Sequence, residues 1–213
     1  MDEPSNRTAL LSALTTEHFV LQTANNQTYS EASARSTLYV MVLSSSLVAM
    51  GFLSGSTNVL FPFAATVLPA LFLLGLFTVA RLVETALESI HYLDGIARIR
   101  GHYRTLGPEA QQYFQHAAGR WPETESPATR FGPTLAFFGT TAAMIAVINN
   151  VVAAVAIALL VRVLSPESPG WIGAAAGAAG GLVLTWLFYV YQRWRFDEVV
   201  LLSRKESVSY RAQ

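Results

Sequence analysis

Three ionisable side chains at helical spacing, Glu84, Glu88 and His91, lie shortly after a long segment, residues 36–80, that contains no charged residue. Residues three and four apart share one face of a helix, so these side chains form one polar stripe. Ionisable groups near membrane depth are costly and often mark ion pathways, and stacked carboxylates around a pore attract cations. The stripe therefore predicts an ion pathway, with a solvated helix face as the alternative interpretation.

Metal binding and enzymatic chemistry have no comparable support. Glu88 and His91 form an E-x-x-H pair, but a di-metal helical bundle needs a second such pair and further carboxylates, which this sequence lacks. The chain contains no cysteine, and it has no nucleophile elbow, phosphate loop or H-E-x-x-H motif. We therefore expect no metal site, no cofactor and no enzymatic activity.

Two adjacent amides, Asn149 and Asn150, lie near the middle of another long uncharged segment. A polar group within hydrocarbon must find a partner inside the protein. One prediction is a hydrogen bond to a neighbouring helix, for example to Ser45 or to another subunit. The other is contact with a permeating ion or polar solute.

The elements that position these residues are predicted from the distribution of charge. The composition is 52% hydrophobic and 13% charged, and the uncharged runs are long enough for membrane-spanning helices of roughly 20 apolar residues. We predict an all-α fold, a polytopic membrane helical bundle with four transmembrane helices and long cytoplasmic helical extensions. The predicted spans are residues 36–53, 59–83, 133–163 and 171–194.

The predicted domain organisation follows from these spans. No proline or glycine interrupts residues 5–35, so this helix is expected to continue into the first span. Beyond Val83 the second helix keeps its period, and its apolar stripe needs a partner, either residues 5–35 or the same helix of a second subunit. The domains are a cytoplasmic or interfacial amphipathic helix (1–35), a transmembrane hairpin (36–83), a cytoplasmic helical region with a connector (84–132), a second transmembrane hairpin (133–194) and a cytoplasmic tail (195–213).

Strips of small residues occur on the third and fourth spans. Gly173, Gly177 and Gly181 recur every four residues, and Ala143 and Ala146 share one face of the third span. Small residues let membrane helices approach closely. We predict that the two strips pack against each other or across a subunit boundary. Together with the uncovered apolar stripe, this indicates a homo-oligomer.

The basic residues predict the orientation in the membrane. Thirteen of the 14 basic residues lie on one side of the predicted spans, and the positive-inside rule then places both termini in the cytoplasm of a multi-pass inner (plasma) membrane protein. The formal net charge is zero, which gives no electrostatic support for nucleic-acid binding. Arg98, Arg100 and Arg104 are candidates for binding anionic lipid or a phosphate-bearing ligand.

The layout of a helical N-terminus, a membrane hairpin and a long helix carrying VARLVETALESIHYLDGIARIR resembles uncharacterised four-span membrane proteins of actinobacteria. It is also similar in architecture to small transmembrane effectors of bacterial nucleotide-signalled antiphage systems, which are thought to permeabilise the inner membrane. The similarity covers mainly residues 5–104, and the two further spans depart from the commonest two-span effectors. It implies a membrane effector and assigns no functional residue.

These features predict an oligomeric pore or channel for ions or small solutes in the lipid bilayer, with Glu84, Glu88 and His91 as its conduction stripe. Two alternatives remain open. One is a membrane scaffold whose helical extension recruits a cytosolic partner. The other is a proton-coupled transporter, for which no inverted repeat gives support.

Overall fold

The computed structural model describes residues 3–114 and 139–211. Within these ranges the chain forms helices and no strand, and four of the helices are long and apolar enough to cross a membrane. The prediction of an all-α bundle is therefore confirmed, and the chain is a multi-pass helical membrane protein. The described helices are α1 (Glu3–Leu53), α2 (Thr57–Arg104), α3 (Pro108–Tyr113), α4 (Thr141–Leu164) and α5 (Gly170–Arg211).

The first two helices are much longer than a membrane span. α1 has 51 residues and α2 has 48, whereas roughly 20 residues cross the hydrocarbon core. α1 is continuous because no proline or glycine lies between residues 5 and 50, as the sequence predicts. A short turn then separates the helices: Ser54 Oγ donates to the Gly51 carbonyl at 2.7 Å, and the Ser56 carbonyl accepts from Leu60 N at 2.9 Å.

The chain divides into two compact units. Among the described residues, the helix-pair unit comprises 3–33 and 84–114, and the bundle unit comprises 34–83 and 139–211. α1 and α2 contribute residues to both units. α3 belongs to the helix-pair unit, and α4 and α5 belong to the bundle unit.

In the helix-pair unit, α1 and α2 lie antiparallel. Ser89 Oγ donates to Asn25 Oδ1 at 2.7 Å, and Thr15 Oγ1 lies 3.5 Å from Tyr103 Oη, so residue numbers rise along α1 as they fall along α2. Of the two partners predicted for the helix beyond Val83, residues 5–35 of the same chain contact it. The inward positions of α1 alternate by three and four residues, the spacing of helices that pack side by side: Leu11, Leu14, His18, Leu21, Asn25 and Thr28.

The core of the helix-pair unit contains more polar side chains than the sequence indicates. Thr85, which directly follows Glu84 on α2, is buried, and Ser89 is buried one helical turn further on. Buried hydroxyl and amide groups are tolerated here because they can form hydrogen bonds with one another between α1 and α2. The apolar part of the core includes Leu87, Ile96 and Ile99.

In the bundle unit, α4 and α5 form an antiparallel pair. α4 begins at Thr141 because the Thr140 side chain caps it, with Oγ1 accepting from Ala143 N at 3.2 Å. The pair is joined by a tight turn in which Arg162 Nη1 donates to the Ser168 carbonyl at 3.0 Å. The predicted connector up to residue 132 lies, from residue 115 onward, outside the described residues, as does the predicted start of the third span at residues 133–138.

Candidate functional site

The amide of Asn149 joins three helices of the bundle unit. Tyr39 Oη on α1 donates to Asn149 Oδ1, and Asn149 Nδ2 donates to the Phe72 carbonyl on α2, each at 3.2 Å. A backbone carbonyl can only accept, so the amide nitrogen must face Phe72 and the amide oxygen must face the tyrosine. Asn149 is 2% exposed. Its hydrogen-bonding groups are thus engaged inside the protein, with Tyr39 and Phe72 rather than with Ser45.

A glycine makes room for this amide. A Cβ atom at Gly75 would fall inside the Asn149 side chain, so α2 can approach the amide only because this position carries no side chain. Sequence patterns single out neither Gly75 nor Tyr39. A glycine within the apolar run of α2 is the one signal that could have pointed to a close approach there.

Asn150, the neighbouring amide, faces α5. Its Nδ2 donates to Thr185 Oγ1 at 3.0 Å, and the Thr185 hydroxyl donates to the Gly181 carbonyl at 2.8 Å. Because the threonine proton is already used, its oxygen must accept from Asn150. This fixes the amide orientation and leaves Asn150 Oδ1 as an acceptor without a hydrogen bond to any described residue.

The glycines of α5 lie against the backbone of α4. A Cβ at Gly177 would overlap the Ala154 carbonyl oxygen, and one at Gly173 would stand 3.0 Å from the Ala158 carbonyl oxygen. At Gly181 it would be 3.2 Å from the Ala154 Cβ. Ala143 and Ala146, the predicted small residues of the third span, are both buried. The two helices therefore pack at close range, which holds Asn150 within reach of Thr185.

A cavity of about 420 Å³ lies between α2, α4 and α5. Its wall is almost wholly hydrocarbon, and Asn149, Asn150 and Tyr191 supply its polar groups. Leu76 and Leu187 at its edge are about half exposed, so the cavity is a groove open to the outer surface of the bundle unit. Its apolar lining includes Phe72, Leu76, Val79, Ala146, Leu184 and Leu187.

The predicted acidic stripe lies on α2 within the helix-pair unit, whereas the two asparagines belong to the bundle unit. Glu84 and Glu88 are partly exposed and His91 is exposed. Neither carboxylate is without a partner, and the His91 ring packs edge-on to Tyr92. No group of three or more His, Cys, Asp or Glu side chains able to hold a metal occurs in the described part of the chain.

The three candidate arginines have different surroundings. Arg98 is exposed and paired with Asp94, its Nη2 lying 2.6 Å from Oδ2. Arg100 is only 3% exposed, so it is part of the helix-pair core and not of an open basic surface. Arg104 Nε is buried without a hydrogen bond. Arg98 is thus accessible to a lipid headgroup or phosphate, although it is paired with Asp94, whereas Arg100 is buried.

His18 lies on the inward side of α1 in the helix-pair unit. Burial, and secondly the positive charge of Arg100, lower the pKa of His18 below its usual value. Its Nδ1 atom is buried without a hydrogen bond. Both causes disfavour the protonated imidazole, which would place a second positive charge beside Arg100 in the core.

No protein-family model matches the chain, and no curated protein and no solved structure is detectably similar to it. Functional inference therefore rests on the arrangement of the chain's own residues.

Proposed function

We propose that this membrane protein is a self-associating channel for ions or small solutes, with α2 facing a shared aqueous space. The observation that supports the proposal is the stripe of Glu84, Glu88 and His91, in which two partly exposed carboxylates and an exposed imidazole follow the apolar run of α2. Carboxylates repeated around a symmetry axis would concentrate cations at the entrance of a pore.

The bundle unit favours a pathway between copies over one within a copy. Both polar atoms of the Asn149 amide bond within the protein, and the cavity beside it is lined almost wholly by apolar side chains. An ion would find little in such a space to replace its hydration shell. α1 of the same chain covers the apolar stripe beyond Val83, so this stripe no longer argues for self-association. The proposal of a shared pore depends on the acidic stripe.

Flux through liposomes that contain the purified full chain tests this proposal. A channel should release K⁺ at rates that increase with the amount of protein. Combined Glu84→Gln and Glu88→Gln should shift permeability away from K⁺ and toward Cl⁻, because neutral side chains remove the attraction for cations. Glu109→Gln, an exposed carboxylate on α3, is the matched control and should leave the ion preference unchanged. Absence of flux under all ionic conditions would rule the channel out.

Recruitment of a soluble partner is the second candidate, because α1 carries exposed apolar side chains in the helix-pair unit. Phe19 is 62% exposed and Val20 is 55% exposed. Exposed clusters of large apolar groups often mark protein-binding surfaces. A scaffold should retain one cytosolic protein at a fixed stoichiometry and should lose it when Phe19 and Val20 are replaced by serine, while conducting no ions.

If the channel proposal holds, permeabilisation of a bacterial inner membrane is the cellular role that the resemblance to antiphage effectors would suggest. That role belongs to the proposal and rests on the layout of residues 5–104 alone.

A further inference from the structure

The groove between α2, α4 and α5 has the size of a small-molecule site. Its volume of about 420 Å³ falls within the range of roughly 300–1,000 Å³ typical of ligand pockets. No charged side chain lines the groove, which disfavours an ionic headgroup.

One polar atom in this apolar groove needs a partner. Asn150 is 8% exposed, and the bond from its Nδ2 to Thr185 Oγ1 leaves Oδ1 as a fixed acceptor. An acceptor without a donor is costly in hydrocarbon, where no water is present to satisfy it. A donor carried by an apolar molecule would satisfy the oxygen.

Tyr191 adds a second polar group to the same groove. Its hydroxyl makes no hydrogen bond with the described residues and can donate or accept. An apolar cavity with a few fixed polar groups is the usual form of a site for an amphiphilic small molecule.

We infer that the groove binds an uncharged, lipid-soluble molecule with a hydrocarbon body and a hydroxyl or N–H group, which donates a hydrogen bond to Asn150 Oδ1. The hydrocarbon body lies against Leu76, Val79 and Leu184. Entry is from the surrounding lipid, past Leu76 and Leu187. A plain acyl chain would fill the apolar part of the groove and leave the asparagine oxygen unpaired.

Photolabelling of the full chain in detergent micelles tests this inference. The probes are a ten-carbon primary alcohol that carries a photoreactive diazirine and its methyl ether, which has the same hydrocarbon body and no donor. The alcohol should label residues of the groove and reach half-maximal labelling at a concentration about fivefold lower than the ether, the effect of one net hydrogen bond. Mass spectrometry of peptides gives the labelled positions.

Two variants separate ligand binding from packing. Asn150→Leu removes the acceptor and should abolish the preference for the alcohol. Thr185→Ser changes the packing by one methyl group but keeps the hydroxyl that accepts from Asn150 Nδ2, so the asparagine oxygen keeps its orientation and the preference should be retained. The inference is overturned if the unmodified chain labels equally with both probes, if Asn150→Leu keeps the preference, or if labels fall only on outward side chains such as Trp186. Labelling requires no conduction, so its outcome is independent of the channel proposal.

Discussion

Asn149 ties α1, α2 and α4 together through one amide, since it accepts from Tyr39 and donates to the Phe72 carbonyl. In lipid the helices gain little from the hydrophobic effect, because lipid chains are as apolar as the helix surfaces. Directional contacts of this kind, and close packing, therefore decide how the bundle unit is assembled.

Tyr39→Phe tests the strength of this contact. The change removes the hydroxyl that donates to Asn149 Oδ1 and keeps the buried ring, so it should lower the free energy of unfolding by about 1 kcal/mol, within the range for hydrogen bonds between membrane helices. Reversible unfolding in mixed micelles measures this. Tyr113→Phe, at a ring 78% exposed, should change stability by less than about 0.5 kcal/mol. A double-mutant cycle with Asn149→Ala must give a non-zero coupling energy.

His18 should make the stability of the protein depend on pH. Its pKa in the folded chain is lowered, first by burial and then by Arg100, whereas the unfolded chain binds this proton near pH 6.5. Protons therefore bind the unfolded state first as pH falls. The contribution of His18 to stability is complete above about pH 6.5 and is lost as pH falls from there through the folded pKa.

Melting temperatures between pH 7.5 and 5.5 measure this effect. His18→Gln should flatten the decrease, and His102→Gln, at an exposed histidine of α2, should not. Equal slopes in the unmodified chain and His18→Gln would show that the proton binds elsewhere.

Only some of these side chains could be found from the sequence. Asn149 and Asn150 are conspicuous because an amide within an apolar run needs a partner. Tyr39 is not conspicuous, since a tyrosine in such a run is typical of a core residue or of a residue at the membrane interface. The burial of Ser89 could not be predicted from periodicity, because its partner Asn25 lies on another helix more than 60 residues away in sequence.

The α4–α5 pair is shaped by its glycines. The Ala154 carbonyl oxygen would overlap a Cβ at Gly177, and a backbone atom cannot move aside as a flexible side chain can. Contact at this distance gives dispersion attraction over the whole interface. α5 can pair with α4 in this way because its small residues recur on one face.

Gly177→Ala should therefore destabilise the protein by about 1–3 kcal/mol, the usual cost of overpacking. Gly51→Ala is the matched control, because a Cβ at this glycine of α1 would have no neighbouring atom within 4 Å, and alanine there should be neutral or stabilise α1 by up to about 1 kcal/mol. Thermal unfolding in detergent compares the two. Equal effects would mean that α4 and α5 pack less closely than these distances indicate.

The sequence predicted the presence of the long helices better than the residues at which they begin and end. The continuity of α1 and α2 follows from residue types alone, since breakers are absent from one and the period persists in the other. The start of α4 at Thr141 depends on capping by the Thr140 side chain, a local geometry that hydropathy does not report. The close fit of Gly75 to Asn149 involves two helices and has no local pattern.

Orientation of the whole chain in the membrane remains a prediction from charge. The positive-inside rule places the N-terminal region and α3 in the cytoplasm and the α4–α5 turn on the other side. The chain contains no cysteine, so single cysteines can be introduced without background. Glu109→Cys and Glu167→Cys place such reporters at two exposed positions.

A membrane-impermeant maleimide applied to intact cells should label Glu167→Cys, and it should label Glu109→Cys only after the membrane is opened. Ser5→Cys, at the N-terminal end of α1, should behave like Glu109→Cys. The reverse pattern would invert the topology and place the acidic stripe of α2 outside the cell.

The fit between Gly75 and Asn149 also constrains how this protein can diverge. Two positions 74 residues apart occupy one shared space, so neither is free to drift alone. If Gly75 is replaced by alanine, Asn149 must be replaced by a smaller residue, and Tyr39 then loses the amide to which its hydroxyl bonds. In related sequences these three positions should therefore change together.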